Sequence, residues 1–224
     1  MKILVIADIH GDITTLSKIL ATINCNAFDV IVCPGNITDI SLAKEDFTQT
    51  DIALLVIQKL ILLKKPLFCV PGNHDPFEIL NIFDEYHTNI HNRKAHFNSF
   101  VFVGFGGAET PFHTPFEPTE KETAAALQLL TTGKRNTILI THNPPKNTKL
   151  DIVDSKHVGS AAIRDFIEKT QPRLCLSAHI HERPGTDVIR KTTCFYPGPA
   201  FLGNYGIVFI NNKKTQCSRK QVKI

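Results

Sequence analysis

Five times along this 224-residue chain, a short apolar run of strand character breaks off into a polar stretch headed by Asp, Asn or His. Residues 2–7 lead to Asp8 and His10, 30–33 to Asn36 and Asp39, 67–70 to Asn73 and His74, 137–141 to His142, and 173–177 to His179 and His181. Helical patterns lie between them: Ile13, Leu16, Ile19, Leu20 and Ile23 recur at spacings of three and four, and helices are expected at 51–63, 119–131 and 160–169. A further strand is expected at 100–104. This alternation predicts an α/β fold. In such folds the loops beyond the carboxyl ends of the strands gather at one edge, so the five polar groups are expected to share one cleft.

The β-rich segments 186–190, 192–196 and 205–211, separated by short turns, predict a second, partly antiparallel sheet. Nothing resembling a linker, repeat or low-complexity tract interrupts the series, and one domain over residues 1–224 is expected. A chain of this length buries about 70% of its unfolded surface, enough for a core without disulfides or a structural metal. The net charge of +4 sits largely in Lys213, Lys214, Arg219, Lys220 and Lys223, too small an excess to argue for a nucleic-acid partner. No apolar run approaches the ~20 residues of a membrane span. The start, MKILVIADIHGD, lacks the basic segment and cleavage site of a signal peptide. The six cysteines are scattered without a CxxC pair and read as reduced thiols. A cytoplasmic location without membrane association is expected, and no feature assigns an oligomeric state.

Imidazole nitrogens, a carboxylate and amide oxygens together suit Mn, Fe, Co or Zn. The candidate ligands Asp8, His10, Asn36, Asn73, His142, His179 and His181 outnumber what one ion needs, which implies two divalent ions. The ordered motifs DIH at 8–10, GNITD at 35–39, GNHD at 72–75, the lone His142 and HIH at 179–181 resemble the calcineurin-like metallophosphoesterase superfamily. The segments GFGGAETPFHTPFE, THNPP, HVGS and YPGP resemble its small prokaryotic Icc-related predicted phosphoesterases. The resemblance implies an αββα sandwich of two mixed sheets and hydrolysis of a phosphodiester or small phosphate ester, nucleotides included. It implies two ions, manganese favoured: one on Asp8, His10 and His181, one on Asn73, His142 and His179, with position 36 bridging. Water activated by the cations would attack phosphorus in line. His74 would be the general acid, its imidazole held by a hydrogen bond to Asp39.

The bridging position of the family is aspartate, and here it is Asn36, which removes one negative charge from between two dications. Weakened dinuclear catalysis, a mononuclear enzyme and a non-catalytic metal- or nucleotide-binding protein of the same fold are the three readings of that change. Ala178 stands where the family has glycine, which is tolerable if its φ is negative. Of the other histidines, His113 and His157 fall in segments that match the family where substrate could be contacted. Phe112 and Phe116 in the Gly104–Pro118 loop read first as packing anchors, and GFGG reads as a close-packed turn.

Overall fold

The computed structural model describes residues 1–39, 41, 47–131 and 136–224. Its first sheet has strand order β13(Thr215–Gln221), β12(Asn204–Ile210), β1(Lys2–Val5), β2(Val30–Cys33), β3(Leu67–Cys69). The second runs β10(Gly185–Ile189), β11(Thr192–Tyr196), β9(Leu174–Leu176), β6(Thr137–Thr141), β5(Phe100–Phe105), β4(Arg93–Phe97). β1, β2 and β3 are parallel, as are β5, β6, β9 and β11; β12 runs antiparallel between β1 and β13, and the antiparallel β10 and β4 form the edges of the second sheet. A small hairpin, β7(Ile152–Val153) and β8(Lys156–His157), stands apart.

Because the central strands are buried on both faces, they read as continuous apolar runs rather than alternating ones. One face of each sheet meets the other: Ile3, Val5, Val30, Val32 and Val208 pack with Phe102, Ile138, Ile140, Leu174 and Phe195. The outer face of the first sheet takes α1(Ile13–Ala21), α2(Gln49–Ile61) and α3(Ile79–Glu85) through Leu16, Ile19, Val56, Leu60, Ile82 and Phe83. The outer face of the second takes α4(Glu120–Leu129) and α5(Ala161–Thr170) through Leu127, Ile163, Phe166 and Ile167. The result is the expected αββα sandwich of two mixed sheets. One detail differs. The β-rich last third does not form a sheet of its own: β10 and β11 extend the second sheet, while β12 and β13 extend the first beside β1. Turn spacing announces a hairpin but cannot say which existing sheet edge it will join.

Helix starts follow local chemistry. Thr48 with Asp51 and Thr119 with Glu122 form capping boxes on α2 and α4, and Asp12 and Ser160 cap α1 and α5, each satisfying backbone N–H groups that no helical turn can. Cys33, Cys69, Cys175 and Cys194 are buried as free thiols. No helix among the described residues is long and apolar enough to cross a membrane.

Candidate metal centre

The parallel strands deliver their following loops to one edge, and backbone hydrogen bonds stitch those loops together. Asp8 N–H donates to Gly35 O at 3.2 Å and His10 N–H to Asn36 O at 2.9 Å. Asp75, fully buried, accepts from the N–H groups of Gly72, Ile37 and Thr38 at 2.7–3.2 Å. It thereby ties the loop after β3 to the loop after β2. Burial raises its carboxyl to about 7 against the pull of those donors. Sequence reasoning gave Asp75 no role; its position beside His74 in GNHD was the available signal. Gly72 is required by close approach: a Cβ there would lie 2.0 Å from Asn36 Oδ1.

Asp8, His10 and His181 converge. A carboxylate oxygen and one ring nitrogen from each histidine lie within 4.8 Å of one another. Asp8 Oδ1 is buried without a hydrogen-bond partner, with His181 Nε2 standing 3.7 Å off. Its other oxygen, Oδ2, accepts from the Tyr196 hydroxyl at 2.6 Å, a contact that sequence reasoning missed. Burial pushes the Asp8 carboxyl up, yet His181, His142 and His10 outweigh it and hold Asp8 well below the usual range. His10 Nδ1 lies 2.8 Å from Asp39 Oδ2, so its proton sits there and its Nε2 lone pair faces the cleft, the usual arrangement around a metal-binding imidazole. Burial lowers His10. Neutral imidazole, a charged carboxylate and an orphaned carboxylate oxygen are a donor set that fits a divalent cation.

The second set is gathered too, but with different electrostatics. His142 Nδ1 donates to Pro34 O at 2.8 Å, leaving a lone pair on Nε2, which lies 3.0 Å from Asn73 Oδ1. Asn73 Nδ2 donates to Thr114 Oγ1 at 3.2 Å, and that hydroxyl donates to Glu117. Two acceptors therefore face each other, with the His179 ring centroid 5.1 Å from that of His142. Burial lowers His142 to about 4 and His179 to about 3. No anion belongs to this set.

At position 36, expected to bridge two ions, the amide has other partners in this structure. Asn36 Oδ1 accepts from His74 N–H at 3.1 Å, so the amide nitrogen faces the cleft, 3.3 Å from His10 Nε2 and 3.5 Å from Asn73 Oδ1. The expected hydrogen bond between Asp39 and His74 also gives way: His74 Nδ1 is 3.7 Å from Asp39 Oδ2, because His10 takes that oxygen. His10, Asp39, Ser41, His74, His181 and Phe201 line a cleft of about 420 Å³. A larger hollow, about 930 Å³, lies at the opposite ends of the strands among Lys169, Arg173, Lys191, Lys213 and Lys214, and none of the described residues lining it is His, Asp, Glu or Cys.

Ala178 has no positive φ, and its N–H donates to His142 O at 2.9 Å, so the methyl is accommodated. Phe116 is a packing anchor against Phe77, ring centroids 4.9 Å apart, while Phe112 is exposed. His157 Nδ1 pairs with the buried Asp151 at 2.8 Å, and His113 is exposed on the loop.

Residues 1–183 match the calcineurin-like phosphoesterase family. The chain is 35% identical over 207 residues to the uncharacterised protein MJ1162 of Methanocaldococcus jannaschii, covering 89% of this chain and 88% of that one. Among solved structures, TT1561 of Thermus thermophilus superposes with a TM-score of 0.75 at 18% identity, covering 97% of both chains. A dimetal phosphatase of Danio rerio does so with a TM-score of 0.67 at 14% identity, covering 100% of this chain and 97% of the other. An archaeal protein described as a novel phosphodiesterase reaches 0.55 at 13% identity, covering 98% and 100%. The structural likenesses carry the fold, and the sequence match over most of its length makes this chain a member of the calcineurin-like phosphoesterases.

Proposed function

We propose that this protein hydrolyses phosphate esters, phosphodiesters or small monoesters such as nucleotides, using divalent metal held by Asp8, His10 and His181. The observation that carries the reading is the buried, unpartnered Asp8 Oδ1 with nitrogens of His10 and His181 close around it, in a cleft that His74 also lines. Membership of the family and the shared fold of a dimetal phosphatase and a phosphodiesterase support it. A bound divalent ion would supply Lewis-acid charge to a phosphoryl oxygen and acidify water. Manganese is favoured over Fe, Co or Zn, given oxygen donors alongside imidazole.

The chain's own residues do the rest. Tyr196 and the backbone N–H of His179 hold Asp8 Oδ2, so that Oδ1 is the oxygen that would bind a cation. Asp39 fixes the His10 tautomer. His74, its side chain 31% exposed at the cleft, would give a proton to the leaving oxygen. Phe201 packs edge-on against His10 and His181, centroids 5.3 and 5.1 Å away, which steadies both rings and makes one wall apolar. Asn36 favours a second reading, a metal- or nucleotide-binding protein without turnover.

Hydrolysis of an aryl phosphodiester with manganese, repeated with His74→Ala and Asp8→Asn, separates the two. Loss of about 10²-fold or more in His74→Ala and abolition in Asp8→Asn are expected. Equal rates in all three proteins would remove both assignments, and absence of turnover in the unaltered chain would leave the binding reading.

A further inference from the structure

We propose that this chain loads one divalent ion, in the Asp8, His10 and His181 set, and that the Asn36 amide leaves the Asn73, His142 and His179 set unfilled at metal concentrations that saturate the first. The inference rests on the metal-dependent reading above and narrows the expected pair of ions to one.

The amide's orientation is fixed from behind. A backbone N–H only donates, and His74 N–H points at Asn36 Oδ1. Turning the amide over would set its NH₂ against that N–H, donor to donor, at a residue only 1% exposed, and leave both unsatisfied. Nor is there room to swing aside, because Gly72 lies so close that even a methyl on it would meet Asn36 Oδ1. An aspartate in this place would give one oxygen to His74 N–H and keep the other between the two donor sets. Asparagine puts an NH₂ there instead, directed at one acceptor from each set, His10 Nε2 and Asn73 Oδ1.

Charge separates the two sets further. The first retains Asp8; the second is composed of an amide and two imidazoles and has no carboxylate. A second dication would meet the repulsion of the first with no anion between them, and at such distances each unit charge weighs heavily even in a moderately polarisable medium. The lone pairs of His142 Nε2 and Asn73 Oδ1 still face each other at 3.0 Å and would hold a cation, so the second set is weakened by charge and by the NH₂ rather than dismantled. Restoring an anion at position 36 is therefore expected to fill it.

Manganese binding to the full chain, followed by calorimetry and by metal analysis after gel filtration, tests this. The expected result is one tight ion per chain, with any second at least about 100-fold weaker, more than a change behind the ligands ordinarily causes. Asn36→Asp is expected to hold two and to show the paramagnetic coupling of a manganese pair, and Asp8→Asn to hold none tightly. His142→Ala in the unaltered background is expected to retain the single ion. Two tight ions in the unaltered chain, one in a folded Asn36→Asp, or loss of the tight ion in His142→Ala would each overturn the proposal. Phosphodiester hydrolysis is measured on the same samples. A one-ion chain without turnover refutes the proposed function and leaves the stoichiometry standing, whereas a two-ion chain with turnover does the reverse.

Discussion

Asp8, His10, Asn36 and His179 hold φ at 50°, 48°, 49° and 78°, a left-handed backbone that costs about 1–2 kcal/mol for each residue bearing a side chain. Such strain persists only where the surroundings over-determine it, and it concentrates at functional sites. Here the surroundings are the cross-loop backbone bonds and a few side chains buried behind the cleft. Tyr196 is the clearest of these. Its ring is fully buried, and its hydroxyl gives the short hydrogen bond that leaves Asp8 Oδ1 as the free oxygen. Tyr196→Phe removes that donor without changing the ring. The expected outcome is a loss of about 10- to 100-fold in manganese affinity, read by calorimetry, together with about 1.5–3 kcal/mol of stability from the carboxylate left short of a partner. Unchanged affinity would show that Asp8 needs no such support.

Among elements, the buried strands were legible because apolar content exposes them: residues 2–7, 30–33, 67–70 and 137–141 all contain the strands found. The candidate ligands were legible for the related reason that each follows such a run. What escaped has little buried surface to signal it. β4 is RKAHF with its charged residues exposed, and β13 is TQCSRKQ, both polar edge strands of the kind that resists further pairing. α3 is a seven-residue helix without a side-chain cap, and β7 and β8 are two residues each. Donor geometry escaped as well, since motif spacing cannot tell which end of the Asn36 amide faces the cleft or that Asp39 serves His10. The connection from β6 to α5 shows how a polar residue can organise an irregular segment. Asp151 is fully buried and accepts from the N–H groups of Asn147, Thr148 and Gly159 and pairs with His157. Asp151→Ala orphans those donors and is expected to lower stability by about 2–4 kcal/mol in urea unfolding. Lys149→Ala, an exposed neighbour, should change it by less than about 0.5 kcal/mol. A small effect at Asp151 would mean that water satisfies the segment equally well.

For the whole molecule, two sheets with their carboxyl edges together place the buried histidines in one charged neighbourhood, and folding becomes linked to protons and metal. His142 and His91, at about 4, and His179, at about 3, are held neutral chiefly by burial. A lowered histidine contributes stability that is complete above its unfolded value near 6.5 and is lost as pH falls toward its folded value. These histidines are therefore expected to weaken the metal-stripped protein between about pH 6.5 and 4, offset in part by Asp75, whose carboxyl, raised to about 7, gains stability as pH falls over the same range. His91 Nδ1 accepts from Gly106 N–H at 3.0 Å, outside the metal set, so His91→Gln should flatten part of that fall without touching metal binding. Manganese at about 100 times its dissociation constant should add about 2.7 kcal/mol at about pH 7, because the folded chain presents the assembled donors and the unfolded chain does not. Protons compete for the same lone pairs, so this increment must shrink as pH drops toward about 5. Melting curves with manganese and with chelator across that range check the linkage: an increment independent of pH would mean that the ion binds through groups other than the histidines of this edge.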